Sequence, residues 1–68
     1  MIIIDLLKYI EVHNNYKLIA SFSNNNETNK IINELKILAK KYDYKYEIRI
    51  KQFISKSEYI ILEEYKIN

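Results

Sequence analysis

The sequence predicts an α+β fold with the element order ββαββ, in which one helix packs on one face of a four-stranded sheet. Residues 24–44 are the only segment with a sustained helical period of apolar residues. The segments before and after it show the two-residue alternation of strands, and β-branched residues are concentrated there. With 68 residues, the chain is predicted to form a single compact domain, 1–68.

The helix is predicted from one apolar stripe centred on Ile31. On a helical wheel the other members fall within about 40° of it, which leaves most lysines for the flanks and the back. These members are Leu35, Leu38 and Tyr42. Asn24 is the predicted N-cap residue, because it would place Glu27 at the third helical position and form a capping box. Thr28 is an alternative cap further along the chain.

Four strands are predicted, over residues 2–12, 16–23, 44–51 and 58–67. A short amphipathic helix over residues 5–12 is the alternative for part of the first segment. His13, Asn14 and Asn15 are predicted to form a turn, since asparagine tolerates the left-handed conformation that a tight hairpin needs. The third strand has one charged face, and the fourth is apolar on both faces at its centre.

The predicted order of the strands in the sheet is 2-1-4-3. The first and fourth strands are the most apolar and are therefore placed at the centre, whereas the charged face of the third strand suits an edge. A helix that crosses over between two hairpins would make the first and fourth strands parallel and the sheet mixed. This element order resembles the small β-grasp domains of the immunoglobulin-binding protein G and L type. The resemblance implies a fold and carries no function.

The composition argues against catalysis. The chain contains no glycine, proline or cysteine, which excludes phosphate-cradling loops, nucleophile elbows, dinucleotide fingerprints, disulfides and thiolate metal sites. His13, the only histidine, is predicted to be a solvated turn residue. Glu11 and Glu63 could approach across the two central strands and bind Mg²⁺, but carboxylates balanced by lysines are the preferred interpretation. We therefore predict no enzyme activity, no catalytic residue, no cofactor and no metal.

The chain is expected to be a soluble, cytoplasmic protein without membrane contact. Its apolar N-terminal segment is interrupted by Asp5, Lys8 and Glu11, so it is too short and too charged to span a bilayer and lacks the features of a secretory signal. Ile, Lys, Asn and Tyr, all with A/T-rich codons, make up more than half of the chain. An AT-rich genome, such as that of a phage or virus, is the expected source.

The sheet face away from the helix is the predicted binding surface. Its apolar centre is expected to contact a partner through Tyr9, Tyr59, Ile61 and Tyr65. A basic edge along the third strand offers candidate contacts to nucleic acid, namely Lys45, Arg49 and Lys51.

Three interpretations of this face compete. It could be a protein interface, formed with a second copy of the chain or with another protein. It could be a platform on which tyrosines stack bases while basic residues hold phosphates. Or the tyrosines simply cover a small sheet and are screened by lysine side chains.

The preferred prediction is a small non-enzymatic protein-binding module, homodimeric, that acts by occluding a partner through this face. A phage- or virus-encoded inhibitor or regulator of a host protein fits this description, and anti-CRISPR proteins are one such class. The alternative is a single-stranded nucleic-acid-binding protein that uses the same face. The dominance of lysine over arginine and the interspersed Glu47 and Glu63 count against base-specific readout.

Overall fold

The computed structural model describes all 68 residues, Met1–Asn68, and confirms the α+β fold with the order ββαββ. The elements are β1 (Ile2–Ile10), a single 3-10 turn (Glu11–His13), β2 (Asn15–Ser23), α1 (Asn26–Tyr42), β3 (Tyr46–Phe53) and β4 (Tyr59–Ile67). The first segment is thus a strand, and the alternative of a helix over residues 5–12 is wrong. The turn after β1 is confirmed, with Asn14 in the left-handed conformation at φ 50°.

The order of the strands is β2-β1-β3-β4, and every neighbouring pair is antiparallel. The predicted order 2-1-4-3, the mixed sheet and the β-grasp arrangement that they imply are therefore wrong. β2 and β3 both run antiparallel to β1, so α1 crosses over between two parallel strands that have β1 between them. β3 is central although one of its faces is charged, because its charged side chains find partners on the neighbouring strands and within β3 itself.

The core lies between α1 and the sheet, mainly its two central strands β1 and β3, with a contribution from the edge strand β4. Its buried members are Ile4, Leu6, Ile32, Ala39, Tyr46, Ile48 and Ile67. Ala39 and Ile48 are completely buried, and the small side chain of Ala39 lets the helix approach the sheet closely. The core is small because only one face of one helix covers one side of the sheet.

The buried stripe of α1 is rotated relative to the predicted one. Thr28, Ile32 and Ala39 are buried, at the spacing of one helical face. Leu38 and Tyr42, which belong to the predicted stripe, are 42% and 53% exposed. Neither the length nor the apolar content of α1 is sufficient for a helix that crosses a membrane.

The start of α1 is set by Asn25, one residue after the predicted cap Asn24. The Oδ1 atom of Asn25 accepts a hydrogen bond from the backbone N–H of Thr28 at 2.9 Å. The Thr28 hydroxyl then donates to the carbonyl oxygen of Ser23 at 2.5 Å, which ties the first turn of the helix to the end of β2. The predicted capping box with Glu27 is therefore wrong.

Two β-bulges interrupt the alternation of side chains between the faces of the sheet. The first lies in β2 at Ile19, where the register with β1 shifts, and the second lies in β4 at Leu62, where the register with β3 shifts. A bulge adds one residue to one strand, so every residue beyond it faces the opposite side from the one that simple alternation predicts. These two shifts determine which side chains reach the candidate site.

Candidate binding surfaces

The sheet face away from α1, here called the open face, carries five of the seven predicted site residues. Tyr9, Arg49, Lys51, Tyr59 and Ile61 lie on it, as follows from their cross-strand partners. Lys45 lies just before β3 at one end of this face, where its backbone oxygen accepts a hydrogen bond from the Tyr9 N–H at 2.9 Å. Tyr65 is the exception.

Tyr65 lies on the helix side of the sheet, contrary to the prediction. The bulge at Leu62 places it opposite Ile48, so it packs against the core and the Nζ atom of Lys36 on α1 lies 5.9 Å from its ring centroid. Burial raises the pKa of the Tyr65 hydroxyl above its ordinary value, and the negative charge of Glu63 raises it further. Tyr65 is thus a packing residue and is not available to a partner on the open face.

The centre of the open face is a network of charges, whereas the sequence predicts an apolar centre. Asp5, of which only 5% is exposed, holds the Nζ atom of Lys51 at 2.5 Å from Oδ2 and accepts a hydrogen bond from the Ser21 hydroxyl at 2.7 Å. A second group lies beside it, in which Arg49 Nε donates to Glu47 Oε2 at 2.7 Å and lies 3.7 Å from Glu64 Oε2. The charges of Lys51 and Arg49 are therefore engaged within the protein.

Part of this face is covered by the protein's own side chains. Lys66 on the edge strand β4 places its Nζ atom 5.1 Å from the ring centroid of Tyr16 on the opposite edge strand β2. The two side chains therefore meet above the central strands β3 and β1, where Glu47 and Leu7 face the same side and are each only 6% exposed. This region thus matches the interpretation in which tyrosines cover the sheet and lysine side chains screen them.

Apolar residues collect at the other end of the open face, here called the apolar end. They are Met1, Ile3, Phe53, Ile54, Tyr59 and Ile61. The rings of Phe53 and Tyr59, which lie opposite each other, have centroids 5.4 Å apart. Met1, Ile3, Phe53 and Ile54 also line an open depression of 530 Å³. Tyr59 and Ile61 thus share an exposed apolar surface on the open face, at one end of it and not at its centre.

The apolar end continues into the outer edge of β4. Four consecutive residues of this strand, Tyr59, Ile60, Ile61 and Leu62, are each between 47% and 49% exposed. β4 has a neighbour on one side only, so the backbone N–H and C=O groups of its outer side have no partner strand. The strand was predicted to be central because of this apolar run, and it is an edge strand instead.

Tyrosines and lysines collect at the end of the molecule where β1 finishes and β3 begins, here called the tyrosine–lysine end. Its members are Tyr9, Tyr16, Tyr42 and Tyr44 with Lys8, Lys41, Lys45 and Lys66. Each ring has one lysine Nζ atom near it, at 5.6 Å for Lys45 and Tyr9, 5.1 Å for Lys66 and Tyr16, 5.3 Å for Lys41 and Tyr42, and 4.6 Å for Lys8 and Tyr44. Each such pair contributes about 0.5–1 kcal/mol at an exposed site.

Only Tyr9 and Lys45 of this cluster belong to the predicted site. A sequence signal for the cluster exists, because tyrosine is directly next to lysine at Lys8–Tyr9, Tyr16–Lys17, Lys41–Tyr42 and Tyr44–Lys45. Neighbours on a strand point to opposite faces. The fold brings them together because these pairs lie at the ends of strands and of α1, where both faces of the sheet are within reach.

The carboxylates considered for Mg²⁺ binding do not form a pair of neighbours. Glu63 lies on β4 and Glu11 follows β1, and β3 separates these two strands. No group of three or more histidine, cysteine, aspartate or glutamate side chains is arranged to hold a metal ion.

No protein-family model, curated protein or solved structure matches this chain.

Proposed function

We propose that this protein is a small binding protein without enzymatic activity that associates with another protein chain through the outer edge of β4. The observation that carries the proposal is the run of four half-exposed apolar residues, Tyr59 to Leu62, on a strand with an unpaired edge. Natural edge strands are usually protected by charges, proline, a bulge or a covering element. This part of β4 has no charge, no proline and no covering element, and the bulge at Leu62 lies only at its end. These features support strand addition as the mode of binding.

A second copy of this chain is the partner that β4 fits directly. In an antiparallel pairing centred on Ile60, Tyr59 of each copy would lie opposite Ile61 of the other. Both residues face the open side, so the pairing would place apolar side chains together on one face and the two Ile60 side chains on the other. Phe53, which lies opposite Tyr59, would extend this apolar row in each copy.

The dimer is expected to be of modest affinity. The interface would consist of one short strand and its flanking side chains, which places it at the low end of specific interfaces, where roughly 1,200 Å² of buried surface separates transient from stable complexes. A dissociation constant on the order of micromolar is expected for such an interface. The same edge would then be accessible to another protein that offers an extended segment.

Light scattering coupled to gel filtration tests the proposal. The wild-type protein is expected to show a mass that approaches twice the 8.3 kDa of one chain as its concentration rises above the micromolar range. The change Ile61→Glu places a charge in the centre of the paired edge and is expected to yield a folded monomer at every concentration. A dimer by apolar strand pairing should persist in high salt.

Ile37→Glu is the matched control. Ile37 is 67% exposed on α1 and is not part of the Tyr59–Leu62 edge, so the same change of residue should leave the mass of the dimer unaltered. A wild-type protein that is monomeric at all concentrations would contradict self-association. An equal effect of both changes would show that β4 is not the interface.

The biological role that we propose is the one predicted from the sequence. A phage- or virus-encoded inhibitor that occludes a host protein in the cytoplasm needs a surface of this kind and no catalytic group. The geometry supports this role less well at the centre of the open face, where charges are paired, than at the β4 edge. The alternative platform of Tyr9, Tyr59 and Tyr65 for nucleic acid loses support, because Tyr65 lies under α1 and Tyr59 at the opposite end from Tyr9.

A further inference from the structure

We propose that the tyrosine–lysine end binds single-stranded nucleic acid without sequence preference. This site is separate from the β4 edge and uses other residues. It brings exposed aromatic rings, on which bases can stack, within about 6 Å of lysine ammonium groups that can hold phosphates.

The lysines of this end form no ion pairs. All the ion pairs of the protein involve Arg49 or Lys51, so no carboxylate is in direct contact with Lys8, Lys41, Lys45 or Lys66. In addition, Lys8 lies directly opposite Lys17 in the β1–β2 ladder. Like charges at such positions repel each other and destabilise the sheet. A polyanion would relieve this repulsion.

The aromatic part of the site is built on Tyr42 and Tyr44. Their rings are stacked with centroids 5.6 Å apart and an interplanar angle of 29°, and 53% and 40% of these residues are exposed. Together with Lys8, Lys45 and Tyr9 they line an open depression of 410 Å³. A nucleobase can stack on one of these rings by displacing the lysine that lies over it, Lys8 at Tyr44 or Lys41 at Tyr42. Only a single strand presents its bases for such stacking.

The acidic residues of this end limit the strength and the kind of binding. Glu11 and Asp43 also line the depression, and the Asp43 carboxylate accepts a hydrogen bond from the side chain of Asn68 at 3.1 Å. The site thus resembles a tolerant platform more than a base-reading pocket, for which arginine, asparagine and glutamine are the usual residues. Weak binding with a marked dependence on salt is expected.

Fluorescence anisotropy with labelled oligonucleotides of about 16 nucleotides, a length chosen to exceed the smallest single-strand sites, tests the proposal. Oligo-dT and oligo-U are both expected to bind, and a blunt duplex of the same length is expected to bind more weakly. The logarithm of the binding constant should fall linearly with the logarithm of the salt concentration, with a slope near −0.7 for each phosphate contacted. Poly-glutamate serves as a competitor without bases.

Two variants separate stacking from charge. Tyr44→Leu keeps an apolar side chain and removes the ring, so it should weaken binding about tenfold while the salt slope is preserved. The double change Lys8→Gln and Lys45→Gln should weaken binding and lower the slope. Lys30→Gln with Lys56→Gln alters the net charge equally at other places, on α1 and in the loop before β4, and should change binding little.

Folding is checked by thermal melting, in which Lys8→Gln is expected to be close to neutral, because the lost repulsion from Lys17 offsets the lost contact with the Tyr44 ring. The proposal is overturned if neither oligonucleotide binds, or if the duplex binds as tightly and Tyr44→Leu has no effect. It is also overturned if poly-glutamate displaces the oligonucleotide at equal charge concentration, which would show a site for acidic polymers in general. Ile61→Glu, which tests the β4 edge, is expected to leave oligonucleotide binding to each chain intact.

Discussion

Asp5 is almost completely buried, yet both of its carboxylate oxygens have partners. Ser21 donates to one oxygen, and Lys51 lies beside the other at 2.5 Å. Lys51 also reaches the ring of Tyr59, with Nζ 4.5 Å from the centroid. Removal of one member of a buried pair leaves the other charge uncompensated, whereas removal of both costs much less. The pair therefore links the central strands to the apolar end.

Lys51→Met is expected to destabilise the protein by about 3–5 kcal/mol, because it leaves the buried Asp5 carboxylate without an opposite charge. The double change Asp5→Leu with Lys51→Met should recover most of that loss. Urea unfolding of the four proteins of this cycle measures the coupling. Lys56→Met, in the exposed loop before β4, is the control and should change stability by no more than about 0.5 kcal/mol. Equal effects of Lys51→Met and Lys56→Met would rule out a structural role for the pair.

At the scale of the elements, the first turn of α1 is joined to the end of β2 by two linked hydrogen bonds. Asn25 accepts from the Thr28 backbone, and the Thr28 hydroxyl donates to Ser23. Thr28 is itself buried, so its hydroxyl needs this partner. These hydrogen bonds fix where the chain leaves the sheet and enters the helix, and hence the position at which Ala39 packs in the core.

Asn25→Ala is expected to lower the free energy of unfolding by about 1 kcal/mol, because the N–H of Thr28 would lose its acceptor. Asn24→Ala is the matched control, since the structure gives its side chain no capping hydrogen bond. Chemical denaturation of the two variants distinguishes them. A larger loss for Asn24→Ala would place the start of the helix one residue earlier than the structure does.

The sequence predicts the strands and the helix, but for two strands it does not predict correctly which side chains lie on which face of the sheet. The alternation of residues correctly places Tyr59 and Ile61 on the open face, because both precede the bulge at Leu62. Beyond the bulge, the same alternation places Tyr65 on the wrong side. Bulges are often marked by glycine, and this chain has none. The position of Tyr65 was therefore not accessible from the pattern alone.

At the scale of the whole molecule, the strand order is what the sequence failed to predict. An apolar run such as Tyr59 to Leu62 indicates burial on both faces, and it was assigned to a central strand on that basis. In the structure the run lies at an edge and stays half exposed, whereas the charged strand β3 is central because Asp5 and Glu64 on its neighbours compensate its charges. Whether the charges of a strand are compensated depends on which strands are its neighbours, and the sequence alone does not reveal which strands these are.

A domain of this size is marginally stable, so association should be visible in its unfolding. Above the dissociation constant of a dimer, each tenfold rise in concentration adds on the order of 1 kcal/mol of stability. For a domain of this length that corresponds to an increase of about 4–8 °C in Tm. Calorimetry of the wild-type protein over two decades of concentration should show this trend, and Ile61→Glu should abolish it. A Tm that is independent of concentration in both proteins would contradict the proposed dimer.

The contact between Lys66 and Tyr16 has a consequence for what can dock on the open face. It joins side chains of the two edge strands across the two central strands, with 5.1 Å between the Lys66 ammonium group and the centre of the Tyr16 ring. A partner that approaches this part of the sheet would first have to displace the Lys66 side chain, at a cost of about 0.5–1 kcal/mol.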